Sequence, residues 1–223
     1  MSTALLDRGD VEAVRTFILS NTRLMAPPLV PEILLHLADE SVPLWQKTED
    51  ELGEINLPPP YWAFAWAGGQ ALARYLFDNP DVCRGKTVLD LGSGSGLTGL
   101  AALMTGARSV LAADIDGFAI AACGLNATAN DHLMTLSSDD LLDAVPAAVE
   151  VILIGDLFYE RKLADRVLAY VEAAKAAGSR VIIGDPQRSY FPRGRFTLLA
   201  EYRVPVTRDL EDAEIKKTAV WQA

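Results

Sequence analysis

The run Thr87-Val-Leu-Asp90-Leu-Gly92-Ser-Gly94-Ser-Gly96-Leu-Thr-Gly99 narrows what this chain can fold into more than any other segment. Apolar residues lead into it from Val88, and a small, helix-compatible stretch from Leu100 to Met104 follows. That order reads as strand, glycine turn and helix, a junction where backbone can lie against a nucleotide-like ligand. Gly92, Gly94 and Gly96 carry no Cβ, so amide N–H groups and the helix N-terminus can reach such a ligand. Asp90 stands beside these glycines, and a carboxylate there suits a ligand with positive charge better than a pyrophosphate.

Gly94-x-Gly96-x-x-Gly99 also matches the dinucleotide fingerprint, which alone is a weak signal. Val110-Leu-Ala-Ala-Asp114-Ile-Asp116 places an acid at the end of the next strand, where it can accept hydrogen bonds from the ribose hydroxyls of a nucleotide-like ligand. The surrounding pattern predicts strands near residues 87–91, 109–113, 132–137, 149–154 and 180–184, with helices near 69–77, 97–105, 118–130 and 162–177. Buried strands alternating with helices imply an α/β fold with a parallel, doubly wound sheet and helices on both faces. Two further strand-like runs, 196–206 and 218–222, predict an antiparallel C-terminal pair joined by an acidic connector. Upstream, Val11, Val14, Phe17 and Ile18 predict a helix over about residues 10–20. A second helix is expected from Pro31, with Ile33, Leu34 and Leu37 inward. The charged stretch from Trp45 to Leu57, ended by Pro58-Pro59-Pro60, reads as an irregular arm.

Composition excludes several classes. At 223 residues, half of them hydrophobic, the chain can bury one substantial core. No apolar run is long enough to span a bilayer, and the first ten residues lack a basic-then-apolar leader, so a cytoplasmic protein is expected. A formal net charge of −10 opposes binding to nucleic acid phosphates. Cys83 and Cys123 read as packing residues of a reduced compartment, and with His36 and His132 far apart no metal site is predicted.

The segment Val88-Leu-Asp-Leu-Gly-Ser-Gly-Ser-Gly resembles the cofactor motif of class I, seven-β-strand S-adenosylmethionine-dependent methyltransferases. Asp156-x-x-Tyr159, after the fourth strand, resembles the acidic-x-x-aromatic motif of the protein lysine methyltransferases among them. Pro60-Tyr61-Trp62-Ala-Phe-Ala-Trp66 is similar to the segment that precedes the cofactor motif in that family. Ile183-Gly184-Asp185-Pro186-x-Arg188 further resembles the subgroup that methylates the electron transfer flavoprotein β-subunit on lysine. The resemblance runs from about Pro58 to the C-terminus and implies a Rossmann-like methyltransferase domain over 58–223, after an N-terminal helical arm over 1–57. It also implies S-adenosylmethionine as cofactor and the flavoprotein β-subunit as protein partner; separately, a monomer is expected.

Ligands of such a sheet lie beyond the carboxyl ends of its strands, which yields a site map. Cofactor contacts are expected from Trp66, Asp90, Gly92, Gly94, Gly96, Asp114 and Asp139. Asp156 and Tyr159 are the expected catalytic pair, with Trp62, Phe158, Asp185 and Arg188 on the substrate. A lysine must lose its proton before attack, at roughly 4 kcal/mol at neutral pH. Asp156 can anchor the ammonium and orient the amine, although it would also raise the lysine pKa, while Phe158, Tyr159, Trp62 and Trp66 offer aromatic faces for a cation. The same groups would serve another protein lysine, such as one on a ribosomal protein, or a small-molecule amine. A nicotinamide-dependent oxidoreductase would need Tyr-x-x-x-Lys, and Tyr159-Glu-Arg-Lys162 misses that spacing by one.

Overall fold

A computed structural model describes residues 10–38, 60–206 and 215–223. The arm from Trp45 to Leu57, the boundary at 57/58 and the acidic connector before residue 215 lie outside the described residues.

Strands β3 (Thr87–Leu91), β4 (Ser109–Ala113), β5 (Thr135–Ser137), β6 (Val151–Gly155), β7 (Arg180–Asp185), β8 (Thr197–Pro205) and β9 (Ile215–Gln222) form one sheet in the order β5-β4-β3-β6-β7-β9-β8. The first five are mutually parallel; β9 runs antiparallel to both β7 and β8. This is the expected Rossmann-like sheet with its antiparallel C-terminal pair. Alternate residues of each strand face opposite layers. Val88, Val151 and Ile182 join Leu72, Leu76 and Leu100 on one side, whereas Leu89, Ile152 and Ile183 join Val167, Tyr170 and Val171 on the other. Both faces are covered, so residues 151–154 of β6 and 181–183 of β7 are continuous apolar runs rather than alternating.

Helices α2 (Ala67–Asp78) and α3 (Leu97–Met104) cover the first face, and α5 (Arg161–Ala176) covers the second. The helix α4 (Gly117–Ala129) packs with α1 (Val11–Asn21) in a separate cluster built on Phe17, Ile18, Trp62 and Phe118. The Asp10 carboxylate caps α1, accepting from the amides of Glu12 and Ala13 at 3.0 and 3.1 Å.

The expected helix after Pro31 is absent. A turn precedes the strand β2 (Leu35–Leu37), which pairs antiparallel with β1 (Arg23–Met25), and Leu34 is exposed rather than inward. The reason is distant in sequence. Asn130 accepts from the Leu34 amide and donates to its carbonyl, while Asn126 accepts from the His36 amide at 2.7 Å. Side chains of α4 thus satisfy backbone groups that a helix would have paired internally. Asn126 is fully buried, and its Nδ2 donates to the Ser95 carbonyl of the glycine loop at 2.8 Å.

Candidate active site

Strand order reverses between β3 and β6, and a cavity of about 440 Å3 opens there at the carboxyl ends of the strands. Its volume lies within the range of small-molecule sites. Gly92, Gly94 and Gly96 all hold positive φ, 66°, 52° and 79°. A Cβ on Gly92 would stand 2.8 Å from the Leu157 side chain, whereas one on Gly94 would meet nothing within 4 Å. Gly94 therefore faces open space, as a backbone cradle for a ligand requires. Its amide donates to Asp114 at 2.9 Å, and Asp114 also accepts from the Asp116 amide at 3.0 Å. The carboxylate still has lone pairs for hydroxyl groups of a ligand. Burial pushes the Asp114 carboxyl above the ordinary range, against the backbone amides that favour its charge.

Beyond Asp114 the wall turns apolar. Ile115, Leu141, Leu142 and Leu163 line it, with Asp139, Asp140 and Arg166 at the mouth. Ile115 is 71% exposed, a large aliphatic side chain presented to the cavity without covering. Arg166 is bonded to Asp140 and Asp143 at 2.8 and 2.7 Å, which fixes that side of the mouth.

The opposite end is built around Asp156. Its φ of 59° is left-handed, which aspartate tolerates at a cost of about 1 kcal/mol. Its backbone and both carboxylate oxygens are held there. Its amide donates to the Gly184 carbonyl at 3.0 Å, and one carboxylate oxygen accepts from the Gly69 amide at 2.8 Å. The other accepts from Nε and Nη2 of Arg188 at 2.9 and 2.7 Å. Gly69 is the third residue of α2, whose first turn has no side-chain cap of its own, so Asp156 supplies that cap from across the sheet. Such proximity depends on Gly68 and Gly184: a Cβ on Gly68 would collide with the Gly184 carbonyl and come within 2.6 Å of the Asp156 carboxylate.

Around the ion pair stand aromatic rings. Arg188 lies over Trp66, 5.4 Å from the ring centroid. Tyr61 packs on Trp66 at 5.7 Å and on Tyr159 at 5.4 Å. Burial, with Tyr61 and Glu160 nearby, pushes the Tyr159 phenol up to about 12, so it keeps its proton at neutral pH.

Residues 70–174 match the model of the ribosomal protein L11 methyltransferase (PrmA) family. The electron transfer flavoprotein beta subunit lysine methyltransferase of Rattus norvegicus is 38% identical over 215 residues, 93% of this chain and 83% of that protein. The chain belongs to the family of electron transfer flavoprotein beta subunit lysine methyltransferases. Its fold is shared with ribosomal protein L11 methylase from Lactobacillus delbrueckii subsp. bulgaricus, at a TM-score of 0.50 and 23% identity, covering 71% of this chain and 80% of that one. It is also shared with magnesium protoporphyrin IX methyltransferase from Synechocystis PCC 6803, solved with bound SAM, at 0.51 and 13%, covering 69% and 77%.

In this member of the family, Trp62, Trp66, Gly92, Gly94, Asp114, Asp139, Asp156, Tyr159 and Arg188 all line the one cavity. Trp62 is nearly covered, stacked at 11° on Phe118. Four expected residues do not line it. Asp90 does not face a ligand: it is 1% exposed and turned under α3, accepting from the Thr98 hydroxyl and, at 2.8 Å, from the Gly99 amide. The free N–H groups of the first helical turn draw it there. Gly96 is the N-cap of α3. Phe158 offers no face to a substrate; it is fully buried, edge-on to Phe191 at 5.4 Å, because the backbone turn that brings Asp156 and Tyr159 to the cavity directs it into the core. Asp185 is fully buried as well, and its carboxylate accepts from the Arg188 amide at 2.7 Å.

Sequence reasoning missed Ile115, Leu163 and Arg166 as lining residues. Ile115 had a signal, an apolar residue between two acids at a strand end. Leu163 and Arg166 had none, since they reach the cavity only through the packing of α5.

Proposed function

We propose that this protein transfers a methyl group from S-adenosylmethionine to a lysine of the electron transfer flavoprotein β-subunit. The observation that carries the proposal is one cavity with two unlike ends: an open glycine cradle with Asp114, and an aromatic rim around Asp156 and Arg188. The relatives' names supply the acceptor.

The cradle fits the cofactor by its chemistry. Gly92, Gly94 and the N-terminus of α3 would receive the amino-acid part, Asp114 the ribose hydroxyls, and Ile115, Leu141, Leu142 and Leu163 the adenine, with Asp139 beside the adenine amine. When bound, the cofactor supplies a methyl group on an electrophilic sulfonium. Trp66, Tyr159 and Asp156 would then surround the acceptor nitrogen and hold it in line, which provides much of the acceleration for a transfer of this kind. Tyr159 would act as a hydrogen-bonding group rather than a base, since its phenol stays protonated.

The test is transfer of labelled methyl from S-adenosylmethionine to the purified flavoprotein β-subunit, with the product located by mass spectrometry. A labelled lysine is expected, and no incorporation would refute the acceptor. Ribosomal protein L11 belongs in the same assay, because the match to its methyltransferase family spans the cofactor end and Asp156. That match stops short of Arg188, so the flavoprotein is the acceptor favoured.

A further inference from the structure

Asp156 does not meet the cavity as a lone carboxylate. It is 8% exposed, with one oxygen on the Gly69 amide and the other on two nitrogens of Arg188. Among the described residues, Arg188 is itself anchored on Asp156, over Trp66, and through its amide on Asp185. Gln187, just before it, has a φ of 62°, so a tight loop returns the guanidinium towards β6. A side chain held this way is installed rather than poised to leave.

We infer that Arg188 is a positioning residue of the transfer: by neutralising Asp156, it makes the acceptor end of the cavity favour the neutral amine of an incoming lysine over its ammonium. This rests on the reading of the cavity as a lysine-methylating site. A lone carboxylate would stabilise the ammonium and move the lysine pKa up by about 1–3 units, away from the reactive form. Paired with a guanidinium, its pull is cancelled, and desolvation beside Tyr61, Trp66 and Tyr159 acts in the same direction. Among the described residues facing the pair, the Tyr61 and Tyr159 phenols carry no charge near neutral pH, whereas Asp185 gains its charge as pH rises through about 7. Tyr61 and Tyr159 have their phenols raised by burial, and Asp185 is buried with its carboxyl pushed up to about 7, largely by burial and then by Asp156. Glu160 and Asp114 act on Tyr159 from further along the rim. The ammonium proton leaves to bulk water. The lone pair left on nitrogen forms the new N–C bond as the methyl–sulfur bond breaks, its electrons staying on sulfur.

Two measurements test this. The first uses the wild-type protein saturated with S-adenosylhomocysteine and titrated with the flavoprotein β-subunit by calorimetry, in buffers of differing ionisation enthalpy. Release of close to one proton per site near neutral pH is expected. Binding without proton release overturns the inference. The second is the pH dependence of kcat, which reports groups of the bound complex, between about pH 6 and 10 for wild type, Arg188→Gln and Arg188→Lys. Arg188→Gln should move the rising limb up by about 1–3 pH units, lower KM, and lose kcat at least about tenfold at neutral pH, with recovery at high pH. Arg188→Lys, which keeps the charge, should leave the limb in place. Loss by one factor at every pH would assign a merely structural role, and a faster Arg188→Gln would make Arg188 a gate; either result overturns the inference. Absence of any transfer by wild type would instead overturn the reading on which the inference rests.

Discussion

At the end of β3 and again at the end of β6, an aspartate accepts the amide of the third residue of a helix it does not belong to. Asp90 does so for Gly99 of α3, and Asp156 for Gly69 of α2, both at 2.8 Å. The two differ in their second partner. Asp90 turns to a threonine hydroxyl and is sealed beneath the glycine loop; Asp156 turns to an arginine and stays at the cavity wall. Their glycines differ in the same way. Gly94 is small so that something outside the protein can approach, whereas Gly68 is small so that two pieces of backbone can touch. A strand-end aspartate is therefore not a ligand by virtue of its place; what its remaining lone pairs meet decides its role.

The strongest way to break this comparison is Gly68→Ala. The added methyl must move α2 off β7 or the Asp156 carboxylate off its amide, so a loss of about 3 kcal/mol or more is expected, a fall in Tm of roughly 6–12 °C. Thermal unfolding checks it. Asp156→Ala should destabilise by about 3 kcal/mol, because it removes the carboxylate beside the largely buried Arg188 guanidinium. It should also abolish methyl transfer while calorimetry still detects S-adenosylmethionine, an outcome that separates the two ends of the cavity.

Asp185→Asn sharpens the acceptor side through pH. Its carboxyl, pushed up to about 7, holds a proton that the unfolded chain releases near pH 4. Its contribution is thus full below about pH 4 and is lost as pH rises towards 7. The asparagine variant, which can still accept the Arg188 amide, should gain on wild type across that window, by about 2 kcal/mol near pH 8. Chemical denaturation at several pH values reads the difference. Gly94→Ala should cost only about 1 kcal/mol in stability, from its positive φ, yet weaken S-adenosylmethionine by about tenfold or more. Equal losses in stability for Gly94→Ala and Gly68→Ala would erase the distinction between the two glycine types.

Much of the sheet was legible because local pattern and buried position agree. Expected strand limits at Thr87–Leu91 and Ser109–Ala113 coincide with those observed. The segment after Pro31 failed because Ile33, Leu34 and Leu37 suit either period, and the decision belongs to Asn126 and Asn130, some ninety residues away. At the site, motif residues such as Gly94, Asp114, Asp156 and Tyr159 were found where the strand-end rule placed them. Asp90 and Phe158 stand away from the cavity for a shared reason: a residue inside a motif can serve the motif's shape, and its direction depends on backbone angles that residue types do not reveal. The pairing of Asp156 with Arg188 crosses 32 positions, and only the adjacency of β6 and β7 brings it about.

The Asn126 side chain has one consequence of a different kind. A single buried amide accepts from β2 and donates to the glycine loop, so the N-terminal hairpin and the cofactor cradle share a hinge-pin. The two bonds use opposite atoms of that amide, so slow exchange at the His36 amide reports that the Asn126 side chain is seated beneath the glycine loop.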